Sequence, residues 1–160
     1  MNHDAVLRKH LVTLLKSGDA HAEFEDAVRD FPEDLRGKRP EGSPHSAWEL
    51  LEHMRIVQWD ILEFSRDPRH ESPVFPDGYW PAAAEPPGPE AWDEAVHAFL
   101  ADRDALCELV ADESTDLFAR IPHGTGQTVL REALLTADHN AYHLGQLVLV
   151  SRLLGAWRSE

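Results

Sequence analysis

Cysteine is almost missing: Cys107 is the single one in 160 residues. One thiol closes no intramolecular disulfide and excludes a cysteine-rich zinc site, and it fits a reducing compartment. Its simplest role is that of a small buried residue on a helix. Positive charge is also scarce. Fifteen Lys and Arg stand against 29 Asp and Glu, a formal net charge of −14, which repels phosphate backbones and anionic lipid surfaces unless a local basic patch overrides it. Basic residues occur singly or in short groups such as Arg36, Lys38 and Arg39, never interleaved with aromatics, so no nucleic acid is expected as a partner. Long apolar runs are absent, and Met1-Asn2-His3-Asp4 lacks the basic-then-apolar order of a signal peptide, so the expectation is a cytoplasmic protein with no membrane partner. There is no His-Glu-x-x-His, which excludes the zincin motif. No internal repeat or low-complexity tract occurs.

The length suits one domain spanning 1–160, able to bury a core without disulfides or a structural metal. Any metal bound here therefore need not be structural. Histidine, in contrast to cysteine, is abundant at ten residues, and position must decide which of them matter.

Residues 4–30 carry an interrupted apolar stripe, Val6, Leu7, Leu11, Leu14, Leu15, Phe24, Val28 and Phe31, which predicts one long helix with a break near Ser17-Gly18 and an end before Pro32. His10 and His21 lie in it with no partner at metal spacing, and read as surface or core-edge residues. Residues 35–44 are a loop, punctuated by Gly37, Pro40, Gly42 and Pro44. Ser46-Ala47-Trp48-Glu49 then has the form of a capping box. It starts a second helix running to about Ser65, apolar over a wide arc, with His53 in its middle. A histidine at that depth needs a hydrogen-bonding partner or a metal.

Residues 66–88 contain Pro68, Pro73, Pro76, Pro81, Pro86 and Pro87, which exclude a regular helix. A 20-residue helix spans about 30 Å, and this segment, extended, reaches roughly twice that. It can therefore cross over and start the third helix parallel to the second, with Tyr79 and Trp80 pinning it to the surface and walling the site. The third helix begins at Pro89-Glu90 and runs to about Asp112, burying Ala95, Val96, Phe99, Leu106, Leu109 and Val110 and leaving Asp102, Arg103, Asp104 and Glu108 to solvent. His97 is isolated there. After a connection over residues 113–127, Thr128 caps a fourth helix that ends at Leu154, with Gly155 as its stop.

On that last helix Glu132, Thr136, His139, His143 and Gln146 share one stripe, and polar groups on a core-facing stripe demand an explanation. His139 and His143 are four residues apart and project from the same side. A lone His-x-x-x-His pair is weak evidence, since hydrogen bonds alone can satisfy it. The coincidence with His53, on a helix that a bundle can set opposite, raises a three-histidine site above that bland reading. Three neutral imidazoles suit zinc or another late first-row metal at about 2.0–2.1 Å and leave coordination positions open. Glu49, Asp60 and Gln146 are candidates for orienting the ligands or transferring protons; Glu49 and Asp60 lie one and two turns from His53. Asp60 is the catalytic candidate.

Ser46-Ala47-Trp48-Glu49-Leu50-Leu51-Glu52-His53-Met54 and Ala137-Asp138-His139-Asn140-Ala141-Tyr142-His143-Leu144-Gly145-Gln146-Leu147 together resemble the DinB-like superfamily, which includes YfiT-type metal-dependent hydrolases and the bacillithiol and mycothiol S-transferases. The resemblance implies an all-α four-helix bundle of up-down-down-up topology, in agreement with the long Pro-rich crossover between helices two and three. It also implies a metal held at the positions matching His53, His139 and His143, for which the three imidazoles make zinc or nickel the expected ion. The expected function is that of a metal-dependent enzyme on a small-molecule substrate, either a hydrolase or an S-transferase using an external low-molecular-weight thiol. The alternative is a non-catalytic metal- or ligand-binding bundle. Exposure of Trp157 or of Tyr79-Trp80 would give such a bundle a face for homodimer formation.

Overall fold

A computed structural model describes residues 2–17 and 20–157, and among these there is no strand; the only extended pairing is an isolated antiparallel bridge between Arg120 and Thr128. Five helices follow in order: α1 His3–Lys16, α2 Phe24–Val28, α3 Ala47–Arg66, α4 Ala91–Ala111 and α5 Val129–Leu153. Single 3-10 turns at Glu33–Leu35 and Asp77–Tyr79 punctuate the connections.

The ends of the helices follow from local chemistry. Asn2 Oδ1 accepts from the amides of Asp4 and Ala5 and starts α1. Ser46 Oγ accepts from Glu49 N while the Glu49 carboxylate accepts from Ser46 N, which completes the capping box of α3. Thr128 Oγ1 accepts from Arg131 N at the start of α5. Gly155 follows the end of α5 at φ +71°, a left-handed conformation that glycine adopts without steric penalty. Helix α4 starts at Ala91 with Glu90 as its N-cap residue, so Pro89 lies just outside the helix.

The predicted long first helix is two pieces. Helix α1 stops at Lys16 and α2 resumes at Phe24, so the break near Ser17 is real, while Gly18 lies outside the described residues. The short α2 can then turn Phe24 onto Phe99 of α4, with stacked rings 4.0 Å apart. Arg103 is the second correction. It is buried, because its guanidinium forms an ion pair with Glu25 of α2 and donates to the Lys16 carbonyl at the end of α1. The break in the first helix thus supplies the partner that makes burial of this cation tolerable.

Helix α3 packs against both α4 and α5, and α1 against the same two. Two apolar clusters fill the interior. One gathers Trp48 and Leu51 of α3, Trp92 and Phe99 of α4 and Leu147 of α5 with α2; the other joins Leu11 and Leu15 of α1 to Leu62, Leu106, Val110 and Ala133. Cys107 is a free thiol buried in the second, where burial pushes its pKa up. Arg8 closes that end, donating to the carbonyls of Val110, Asp112 and Thr115 at and beyond the last turn of α4. Tyr79, Trp80 and Trp157 are each half-buried. Trp157 packs on the first cluster beneath Arg152, Trp80 stacks on His53, and the Tyr79 hydroxyl bonds Asp60. No described helix is long and apolar enough to cross a membrane.

A candidate metal centre between α3 and α5

Buried polar groups mark where these two helices face each other. Gln58 of α3 is fully buried; it donates from Nε2 to the Phe99 carbonyl (2.7 Å) and accepts at Oε1 from Asn140 Nδ2 of α5 (2.9 Å). One turn from that pair, on the side of the α3 N-terminus, the three predicted histidines converge. Their ring centroids form a near-equilateral triangle, with His53 to His139 at 4.9 Å, His53 to His143 at 4.6 Å and His139 to His143 at 4.5 Å. One ring nitrogen from each lies within 4.8 Å of the other two.

The proton positions on two rings follow from their neighbours. A carbonyl oxygen can only accept, so the 2.7 Å contact between His53 Nδ1 and the Tyr79 carbonyl places a proton on Nδ1. The neutral ring then presents a bare lone pair at Nε2. His143 Nδ1–H likewise donates to Gln146 Oε1 at 2.9 Å, which leaves its own Nε2 bare. His53 Nε2 and His139 Nε2 stand 3.1 Å apart, and His139 Nδ1 is buried with no hydrogen-bond partner. Whichever nitrogen of His139 carries the proton, one polar atom is left unsatisfied or two lone pairs oppose each other. A cation between the two Nε2 atoms takes up their opposed lone pairs, with the His139 proton then on Nδ1.

All three imidazoles are held neutral. Burial lowers the pKa of His139 to about 4, with the neighbouring His143 and His53 adding to the effect. Burial lowers His53 against the opposing pull of the Tyr79 carbonyl, and lowers His143 against that of Gln146. Neutral nitrogen donors with open lone pairs fit a divalent late first-row metal such as zinc or nickel and do not fit magnesium or calcium, which take oxygen.

The connection between α3 and α4 forms one wall. Trp80 stacks on His53 with centroids 3.8 Å apart and planes within 1°, and its other face is covered by His45 at 4.1 Å. Asp60 anchors this wall. Its Oδ1 accepts from His70 Nε2–H and its Oδ2 from the Tyr79 hydroxyl, each at 2.7 Å, with the side chains of His70 and Asp60 only 8% and 11% exposed. Burial, and then Asp60, push the Tyr79 hydroxyl up to about 12. Asp60 thus reaches His53 through Tyr79, whose hydroxyl it holds and whose carbonyl takes the His53 proton.

Of the other predicted residues, Gln146 is in place on His143, whereas Glu49 is committed elsewhere. Its carboxylate caps α3 and pairs with Arg39. Burial opposes ionisation of Glu49, but Arg39 and the Ser46 amide outweigh it and hold the pKa below the usual carboxylate range, which makes it a weak base. Glu132, two turns from His139 on α5, is buried, and burial raises its pKa against the pull of Arg131. His10, His21 and His97 are exposed, as expected of incidental histidines. His45 and His70 were not anticipated. Neither sits in a periodic segment; the one local signal is that His45 immediately precedes the capping-box serine. A wider cleft of about 660 Å³, bordered by Glu33, Arg36, Lys38 and Glu85, includes none of the three histidines.

Fold and site together define a helical protein with a three-histidine cluster of metal-ligand chemistry. The chain belongs to the DinB superfamily, whose family model matches residues 18–147. Searches of curated proteins and of solved structures give no significant match.

Proposed function

We propose that the protein is a metal-dependent enzyme in which His53, His139 and His143 hold one divalent transition metal, zinc or nickel, and which acts on a small-molecule substrate. The observation that carries this reading is the convergence of three neutral imidazoles, two of them with lone pairs bared by the hydrogen bonds at Nδ1. Bound there, a metal supplies Lewis-acid polarisation and lowers the pKa of whatever it coordinates. The chain's own groups do the rest. The Tyr79 carbonyl and Gln146 Oε1 hold ring protons at the two Nδ1 atoms. Trp80 keeps water from one face of His53. Asp60 acts as a positioning residue, since both its oxygens are already taken by His70 and Tyr79.

Two reaction classes remain within this reading, hydrolysis and S-transfer from an external low-molecular-weight thiol. Hydrolysis is favoured by one feature. Trp80, Tyr142 and Gln146, which touch the three rings, bring no cation to them, and a carboxylate-bearing thiol would need one. The second reading is a non-catalytic metal- or ligand-binding bundle, supported by the prior engagement of Glu49 and Asp60, which leaves neither as a free general base. For the architecture, we propose one domain over 1–160 with up-down-down-up helix order and residues 67–90 as the crossover. The packing of α1 and α3 on the same two neighbours supports it.

Protein purified without an affinity tag should contain or take up about one zinc or nickel ion per chain. Absence of uptake on titration overturns the site. Hydrolysis of amides and esters, measured beside transfer of small thiols to electrophiles, separates the two reactions; uptake with neither turnover favours the non-catalytic reading.

A further inference from the structure

Beside the three histidines lies a cavity that the proposed chemistry leaves unused. It offers about 250 Å³, open to solvent on one side, between residues 41–45, the start of α3 and the last turns of α5. Leu50, Leu149 and Leu153 give it apolar walls, Glu41 lines it, and no lysine or arginine does. Leu149 and Leu153 are 55% and 56% exposed, on a helix whose Leu144 and Leu147 are buried. Apolar surface left open around a concavity is the kind of surface that a ligand covers.

Two shared walls join this cavity to the histidines. Gln146 lines it and accepts from His143; His45 lines it and stacks on Trp80, which stacks on His53. A ligand seated against Gln146 is therefore one side chain away from the His143 ring, and one seated against His45 two side chains away from His53. The volume sets the ligand's size. An apolar protein cavity of about 150 Å³ admits benzene, so 250 Å³ admits one ring or a branched alkyl group with a short linker. The wall sets its charge. A carboxylate or phosphate would enter beside Glu41 and find no cation, at the cost of an unpaired charge. Gln146 sets its polar contact, because its Oε1 is taken by His143 while its amide Nε2 has no protein acceptor among the described residues, so the wall offers a donor to a carbonyl-type oxygen.

We propose that this cavity binds the apolar arm of a small neutral acyl compound, an amide or ester bearing an aryl or branched alkyl group, with its carbonyl oxygen at Gln146. Naming the acyl end as the reacting end rests on the metal-dependent reading above; the cavity's preference for a neutral apolar arm does not.

Phenylacetamide, its near-isosteric anion phenylacetate, and acetamide, which lacks the arm, test it. Each is titrated into the full-length protein, with and without a chelator, while the methyl resonances of Leu149 and Leu153 are followed. Phenylacetamide is expected to move those methyls and, with chelator present, to bind at least about tenfold more tightly than either other probe. Leu149→Trp, which fills the cavity from an exposed position, should remove the response. Glu41→Lys should bring phenylacetate to within about threefold of phenylacetamide. Equal binding of the three probes, or shifts that leave both leucines unmoved, overturns the proposal. Zinc titration of the same sample separates the two readings. Phenylacetamide bound at the leucines without zinc uptake removes the metal and keeps the cavity, whereas zinc uptake with unmoved leucines does the reverse.

Discussion

Removing one oxygen from Tyr79 should weaken metal binding at a ring that the hydroxyl never touches. Tyr79→Phe keeps the aromatic body and deletes the 2.7 Å hydrogen bond to Asp60 Oδ2. That bond holds the 3-10 turn Asp77–Tyr79, and the same residue's carbonyl takes the His53 Nδ1 proton at 2.7 Å. A hydrogen bond to a charged acceptor contributes about 1.5–3 kcal/mol, and about 1.4 kcal/mol is a factor of ten in an equilibrium constant. Full transmission to His53 would therefore cost roughly 10- to 100-fold in metal affinity, the range seen when outer partners of ligating histidines are removed. Competition with a chromophoric chelator measures zinc affinity, and thermal unfolding of the metal-free protein controls for a general loss of stability. Asp60→Asn should act in the same direction. It should also allow the Tyr79 hydroxyl, held up to about 12 by burial and Asp60, to ionise at lower pH, which is visible as phenolate absorbance in a chain with two tyrosines. If Tyr79→Phe binds zinc within about twofold of the parent while stability drops, the turn supports the fold and does not orient the ligand.

Three further outcomes are expected. His139→Ala or His143→Ala should abolish tight zinc or nickel uptake by calorimetry while far-ultraviolet circular dichroism stays helical, because the apolar clusters need no metal; cooperative unfolding on chelation would contradict this. In chelated protein, stability should be undiminished above about pH 6.5 and fall as the pH drops toward 4. The unfolded chain then takes protons that the buried His53, His139 and His143 refuse, with His139 contributing at most on the order of 3 kcal/mol in denaturant midpoints measured across pH. Leu147→Ala, at a fully buried position on α5 between the helices, should cost about 2–5 kcal/mol in urea unfolding, and a loss below about 1 kcal/mol would mean that the core there repacks freely.

What could be read in advance was whatever repeats locally. The capping box of Ser46 and Glu49, the Thr128 cap, the Gly155 stop and the stripe bearing His139 and His143 each depend on spacings of a few residues. His53 was legible because a lone polar ring in an apolar arc stands out. The wall of the site was only partly legible. Tyr79 and Trp80 were expected to pin and wall, but the contacts from Asp60 to His70 and Tyr79, and from His45 through Trp80 to His53, join residues in segments without a period. Arg103 was misplaced for a related reason. Its helical position looked outward until the break after Lys16 brought Glu25 to it.

The attachment of residues 67–80 bears on how such a site can change over generations. The segment is tied down by His70, Tyr79 and Trp80, while Val74 and Phe75 between them are 81% and 82% exposed. The histidine triangle belongs to two long helices and owes its spacing to their packing. A lineage can therefore replace the exposed Val74 and Phe75 without dislodging the triangle, since surface connections tolerate change where packed helices do not. Novelty in this architecture should accumulate in the strap and not in the rods, with the anchors at its ends as the positions that resist drift.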